Sequence, residues 1–403
     1  MLFANPNATH ETYPDTLKSI MSVEKAAESR AWLSHWSRLN HSATPLYSLP
    51  DLATELGVAQ ILLKDESKRS ELGSFKALGA PIALLRLILR QFPEQHFEPR
   101  GLLSGHYRQA LRDFTVISAT DGNHGRALAA AAQSVGCRCV IVLHANVSLE
   151  REQAIAAYGA EIVRISGNYD ESVAEAAALA QDNGWWVVSD TSYEGYEDIP
   201  RDVMQGYGTL AAEVIETLGD NTFTHVFLQG GVGGLAAGIA SYFWELQGKQ
   251  RPRFIIVEPE QADCLYQSAI SGKAAKATGS VDSVMAGLAC GETSPLAWKF
   301  LQPGIDFFMT LQDNEAVSAM GRLAAGSRND IPVEAGESAV AGLAGLIKLA
   351  ASPSLSAEVG IDAQSRILLI STEGATAPGV YAELVGESAD SVRARQQAWL
   401  ASA

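Results

Sequence analysis

The sequence predicts an α/β protein with a mostly parallel sheet covered by helices on both faces. Three observations carry this. From residue 115 onward, short apolar runs alternate with helical runs over more than a hundred residues, which is the signature of parallel strands joined by crossover helices. The unusual polar and glycine-rich stretches follow directly on those strands, where ligands bind in such sheets. The 403 residues are 47% hydrophobic and 19% charged, enough chain and apolar content for two domains with sizeable cores.

Taken in order, residues 1–40 are polar and helix-prone, without a motif, and read as an N-terminal arm. Thr44-Pro45-Leu46 leads into a helix at 49–56, closed by Gly57. Ile61-Leu62-Leu63 is a buried strand. After a polar loop comes a strongly apolar helix at 78–92, ended by Pro93. Residues 93–113 contain Pro93, Pro99, Gly101 and Gly105 and read as a loop or insertion. Strands at 114–118, 137–143, 161–165, 185–189, 224–228 and 254–257 then alternate with helices at 125–135, 149–158, 170–183, 206–218 and 235–247. The last clear strand is 366–370.

The formal net charge is −16 and the pI about 5.0. This argues against nucleic acid and anionic membrane as partners, because both would repel an acidic surface. No apolar run reaches the length of a membrane span, and residues 1–19 lack a basic-then-apolar signal, so the expected location is cytoplasmic. The four cysteines are Cys137, Cys139, Cys264 and Cys290. None has a paired CxxC spacing, and no metal site is expected. Cys137-Arg138-Cys139 alternates within a strand, which aims both thiols at one buried face.

Four features carry chemistry. Lys76 follows the polar loop that ends in Gly73-Ser74, next to a helix start. Positive backbone N–H groups there would lower its pKa and favour a neutral, nucleophilic amine; an ordinary solvated lysine would look the same in isolation. Ala119-Thr120-Asp121-Gly122-Asn123-His124-Gly125 runs from a strand into a helix and can grip an anionic group, with Asn123 offering an amide beside it. The plain alternative is a turn capped by Asp121. Gln229-Gly230-Gly231-Val232-Gly233-Gly234-Leu235 again joins strand to helix, and its four glycines let the backbone wrap a phosphate. It is not GxGxxG and has no P-loop lysine. Glu258, at the end of the next strand, keeps a dinucleotide open on this motif alone. Ser371-Thr372-Glu373-Gly374 closes the last strand and presents hydroxyls able to face a ring nitrogen, or simply cap a turn.

Together these features match one ligand, pyridoxal phosphate. Lys76 would form the imine, the loop from Gly230 through Gly231, Val232 and Gly233 to Gly234 would hold the phosphate, Asn123 would touch the ring hydroxyl, and Ser371 or Thr372 would face the pyridine nitrogen.

On Ser74-Phe75-Lys76, Gly122-Asn123-His124 and the Gly230–Gly234 loop, the chain resembles the tryptophan-synthase-like (fold type II) pyridoxal-phosphate enzymes. Further segments resemble the diaminopropionate ammonia-lyases within them. These are Lys64-Asp65-Glu66-Ser67-Lys68-Arg69, Asp121 with Arg126, Asn168-Tyr169-Asp170, Asp190-Thr191, Glu194-Gly195-Tyr196, Met204-Gln205-Gly206-Tyr207, the run from Met285 to Glu292, and Ser371-Thr372-Glu373-Gly374. The matches span residues 45–375.

The resemblance implies two open, twisted, mostly parallel sheets. It implies a larger domain of 1–89 and 220–403 and a smaller mobile one of 90–219. It also implies a homodimer, and α,β-elimination of D- and L-2,3-diaminopropionate to pyruvate and ammonia. Lys76 would be the Schiff-base lysine, Asp121 the base for the D isomer, and Asp190 the base for the L isomer, with Lys76. Thr120, Asp121, Gly122, His124 and Tyr169 would line the substrate site. Cys264 and Cys290 match a pair that can be disulfide-bonded in the family. Two acids on opposite faces of an activated Cα–H account for turnover of both isomers.

The loop Ser70-Glu71-Leu72-Gly73-Ser74-Phe75-Lys76 departs from the lyase pattern, and Glu71 adds a charge near the site. A β-hydroxy amino acid (hydroxyaspartate, serine or threonine) is therefore the rival substrate. From other classes, a non-catalytic pyridoxal-phosphate binding protein and a dinucleotide-dependent dehydrogenase remain, the latter leaving Lys76 and Asn123 unexplained.

Overall fold

The apolar runs assemble into two sheets. In the computed structural model, which describes residues 1–120, 122–219 and 221–402, the strands are β1 (Leu2–Ala4), β2 (Leu46–Ser48), β3 (Gln60–Asp65), β4 (Thr115–Thr120), β5 (Arg138–Leu143), β6 (Glu161–Arg164), β7 (Trp186–Val187), β8 (His225–Gln229), β9 (Arg253–Pro259), β10 (Phe307–Leu311) and β11 (Arg366–Ser371). The larger sheet has the order β1-β10-β9-β8-β11-β3-β2 and the smaller β6-β5-β4-β7. All pairings are parallel except β1 on β10 and β2 on β3 at the two edges of the larger sheet.

Side chains alternate across the larger sheet as a strand period of two requires. Leu62, Val226, Leu228, Phe254, Ile256, Leu368 and Ile370 face a core shared with the smaller sheet and the helices between the two. Ile61, Leu63, Phe227, Ile255, Val257, Ile367 and Leu369 face a second core, closed by helices Asp313–Ala325 and Ala341–Ala350. Because both faces are covered, β8 and β10 are buried along their whole length, with apolar runs Val226-Phe227-Leu228 and Phe307-Phe308-Met309 at their centres.

Several expectations shift in detail. The expected arm contributes edge strand β1 and helix Val23–Leu33. Residues 93–113 are not plain loop: short helices Pro99–Leu103 and Arg108–Leu111 bury Leu102, Leu103 and Leu111. The sequence reading found no strand between 257 and 366, where β10 lies. Helix Pro295–Gly304 ends two residues before β10, so the apolar stretch from Leu296 to Leu311 has no clear period. Cys139 is buried and Cys137 half-buried in the same core, with Arg138 exposed between them, as their alternation implied. Helix Asp198–Leu218, within the stretch expected to form the smaller domain, packs against helices Val23–Leu33, Ala80–Gln91 and Gly234–Gln247.

Strand order positions the site. β8, β11 and β3 are parallel neighbours, so the loops after them lie side by side at the carboxyl ends of the strands. Those are the glycine loop, the Thr372 turn and the Lys76 loop. β4 and β7 are neighbours in the smaller sheet and bring Asn123 and Asp190 to the same place.

Candidate active site

Lys76 sits in a short 3-10 turn, Phe75–Leu78, ahead of helix Ala80–Gln91. The turn is strapped to the end of β11: the Phe75 amide donates to Thr372 O at 3.0 Å and the Gly374 amide to Gly73 O at 3.0 Å. The expected helix N-terminus begins four residues later. The partner of the amine is instead a carboxylate, with Lys76 Nζ 2.5 Å from Asp190 Oδ2. The amine also lies over the Phe75 and Tyr207 rings, 5.2 and 6.0 Å from their centres.

Asp190 follows β7 and is half-buried. Burial pushes its carboxyl pKa up, but Lys76 and then His124 outweigh burial and hold it well below the usual range. His124 is buried in helix Asn123–Val135. Its Nε2 lies 2.8 Å from Val188 O, which makes Nε2 the protonated nitrogen, and its Nδ1 is 3.8 Å from Asp190 Oδ2.

Residues before this helix shape its entry. Thr120 Oγ1 accepts from the Gly122 and Gly125 amides at 3.0 and 3.1 Å. Gly122 has φ +151°, a value L side chains rarely take. Asn123 donates through Nδ2 to Glu373 across the cavity. Asp121 lies outside the described residues.

The glycine loop forms an anion cup. The Gly230 and Gly233 amides donate to Val257 O and Gly230 O, and the helix's first bond runs from Ala237 to Gly233 O. The amides of Gly231, Val232, Gly234 and Leu235 meet no protein acceptor among the described residues, at the positive end of helix Gly234–Gln247. Gly231 has φ +65°, and a Cβ there would project toward Gly287 O and Cys290 Sγ.

A cavity of about 760 Å³, open mouth included, joins these groups. Lys76, Thr120, Asn123, His124, Tyr169, Asp190, Gly230, Gly231, Val232, Gly234 and Thr372 all line it. Tyr169 starts helix Tyr169–Asn183, behind a capping box of Asn168 and Glu171. Three expected residues stand back, the first of them Gly122, which shapes the helix entry but is absent from the wall. Gly233 is absent from the wall: its φ is +101°, and a Cβ would press on Leu301. Ser371, still within β11, is fully buried and does not line the cavity, whereas Thr372 does. The wall also holds Tyr207, Gln229, Ser338, Cys290 and Glu373, which motif reading did not single out as site residues. Tyr207 and Glu373 lay inside quoted stretches, but a polar side chain in an apolar helix or strand end carries no local signal of what it faces.

Other sequence features resolve into framework. In Lys64-Asp65-Glu66-Ser67-Lys68-Arg69, Lys64 and Arg69 bind Glu66 and Glu213 in a fully buried network. Lys64 Nζ is 2.7 Å from Glu213 Oε2, and Arg69 is bidentate on both acids. Glu258 faces no ribose site. It accepts from the Leu265 and Tyr266 amides at 3.0 and 2.8 Å, and burial pushes its pKa up to about 8. Glu71 points outward to Arg38, so its charge does not enter the cavity. Cys264 and Cys290 are two thiols, both close to the Gly231 turn.

The cavity fits pyridoxal phosphate: four unengaged amides for a phosphate, an amine for its aldehyde, an amide beside the ring and a threonine hydroxyl at a strand end. The profile of the family described as "Pyridoxal-phosphate dependent enzyme" matches residues 38–373. The chain is 39% identical over 364 residues to the diaminopropionate ammonia-lyase of Escherichia coli (strain K12), covering 89% of this chain and 91% of that one. The chain belongs to the pyridoxal-phosphate-dependent enzymes, among the diaminopropionate ammonia-lyases. Its fold matches the crystal structure of holo diaminopropionate ammonia lyase from Escherichia coli at a TM-score of 0.87, with 38% identity over 96% of both chains. The same enzyme in complex with its aminoacrylate-PLP azomethine reaction intermediate matches at 0.85, with 37% identity over 96% of both. The two-sheet fold type II architecture and a pyridoxal phosphate cofactor thus belong to this chain as a family member.

Proposed function

We propose that the protein eliminates ammonia from D- and L-2,3-diaminopropionate, giving pyruvate and two ammonia molecules. The Lys76–Asp190 pair, 2.5 Å apart inside a phosphate-cupped cavity, carries this reading. Bound pyridoxal phosphate supplies the electron sink that makes the substrate Cα–H acidic. Lys76 would hold it covalently, the Gly231, Val232, Gly234 and Leu235 amides would hold its phosphate, Asn123 would lie beside its ring hydroxyl, and Thr372 would face its ring nitrogen.

Asp190 and Lys76 share one proton economy. With Lys76 protonated, Asp190 is a weak base. When Lys76 carries no proton, burial, the largest influence on Asp190, makes the carboxylate a stronger base, poised to take a proton from the L isomer. His124 Nδ1 is placed to accept that proton from Asp190. The Lys76 ammonium is the donor for the departing amine, which leaves as a neutral molecule only when protonated. Asp121 is assigned to the D isomer from its sequence position.

The same reading takes 90–219 as the smaller domain that closes on substrate and excludes water. Two contacts support closure: the Arg151–Glu337 ion pair, and Glu150 accepting from the Gly379 amide at 3.1 Å. It also takes the protein as a cytoplasmic homodimer. Among the described residues no helix is long and apolar enough to cross a membrane.

The test is pyruvate formation by purified, cofactor-loaded protein. Both diaminopropionate isomers should turn over faster than D-serine, L-serine or threo-hydroxyaspartate. Turnover of a hydroxy amino acid alone would overturn the substrate assignment and leave the cofactor chemistry standing. No turnover of any of them would point to a binding protein.

A further inference from the structure

Tyr207 is a fully buried phenol whose hydroxyl meets no hydrogen-bond partner of good geometry among the described residues, the Lys76 amine being the side-chain group that comes nearest to one. Burying a hydroxyl without a partner is costly, yet the fold builds a seat for this one. A Cβ on Gly79 would stand 2.7 Å from Tyr207 Cε1, so glycine there makes room for the ring. A Cβ on Gly206 would stand 2.0 Å from Leu78 O, so helix Asp198–Leu218 presses its backbone directly on the Lys76 turn. Phe75 packs on the ring at 4.8 Å between centres. The ring lines the cavity beside Lys76, whose amine is 6.0 Å from the ring centre.

Lys76 and Asp190 are the charges that act on this phenol. Burial raises its pKa well above the usual value and Lys76 offsets part of the rise, so the group stays a neutral phenol whose oxygen can accept from the Lys76 ammonium. A lysine that alternates between bonding a cofactor and standing clear of it needs polar contacts in the second state. Asp190 supplies one.

We infer that the Tyr207 hydroxyl is a second contact of the Lys76 amine, a positioning residue that keeps Nζ aimed across the cavity between turnovers. This rests on the covalent role proposed above for Lys76.

The experiment compares wild-type holoprotein with Tyr207→Phe and Lys76→Ala. Borohydride reduction followed by mass spectrometry reads how much cofactor is bonded to Lys76, and kcat, KM and Tm are measured in parallel. The hydroxyl's one proposed partner is the Lys76 amine, which the cofactor engages in the holoprotein, so Tyr207→Phe should keep the wild-type Tm. Its kcat should fall roughly tenfold, the scale of one hydrogen bond to a charged group. KM should change less than about twofold, and the trapped fraction should rise, because the variant loses a contact made only by the released amine. Unchanged trapping and kcat would overturn the inference, and so would a lower Tm with unchanged trapping, which marks a purely structural residue. If wild type traps no cofactor on Lys76, the lysine assignment itself is wrong, an outcome separate from any effect of Tyr207.

Discussion

At the scale of single residues, the site is a set of charges whose strength depends on one another. Asp190 is held below the usual carboxylate range only because Lys76 and His124 outweigh its burial. In the proposed mechanism an acid tuned in this way would serve one face of the substrate, and Asp121 the other. Asp190→Asn should therefore lower kcat/KM for L-diaminopropionate by about a hundredfold or more, the usual scale for a lost general base, and spare the D isomer. Asp121→Asn should show the reverse. Steady-state kinetics on both isomers checks this, and equal losses in each variant would end the division of labour. Lys76, Asn123, His124 and the glycine loop were legible because each combines an unusual residue type with a strand end. Thr372 could not be separated from Ser371 by sequence, since which of two neighbouring hydroxyls turns to the cavity depends on where β11 ends.

At the scale of elements, buried charge ties the Lys76 loop to its support. Glu213 on helix Asp198–Leu218 reaches Lys64 at the end of β3 and Arg69 in the loop toward Lys76. Removing one member of such a network leaves a buried charge without its counterpart. Arg69→Met should cost about 3–5 kcal/mol, read by denaturant unfolding. Glu258 ties β9 to the start of helix Cys264–Ser271. Its pKa is about 8 in the folded protein against an ordinary 4.5. The native state thus keeps a proton that the unfolded state loses, and stability falls as pH rises from about 4.5 to about 8. Glu258→Gln stays neutral and should flatten that part of the Tm–pH curve. A slope identical to wild type would show that the carboxyl does not titrate as described.

At the scale of the whole molecule, the site lies where two sheets meet. The larger sheet provides the lysine, the anion cup and Thr372, while the smaller provides Asn123, His124 and Asp190. Among the described residues, polar contacts joining them near the cavity include Arg151–Glu337, Glu150 with the Gly379 amide and Asn123 with Glu373. If the smaller domain closes on substrate, amide hydrogen exchange in 144–170 should slow when L-diaminopropionate binds the Lys76→Ala holoprotein, and Glu337→Gln should weaken that protection. Exchange unaltered by ligand would argue for a rigid cleft.

The sequence by itself determined the fold class, the cofactor chemistry and most of the cavity wall. Strand period, glycine spacing and the order of motifs are local properties, written within a few residues of each other. Tertiary structure decided what depends on partners distant in the chain. Strand order set β3, β11 and β8 side by side and so brought three separated loops together. It gave Lys76 a carboxylate where the sequence suggested a helix end, turned Glu258 and the Lys64–Arg69 stretch into framework, and aimed Tyr207 at the amine. A side chain's chemistry is local, but the charge it faces and the water it loses are set by residues a hundred or more positions away.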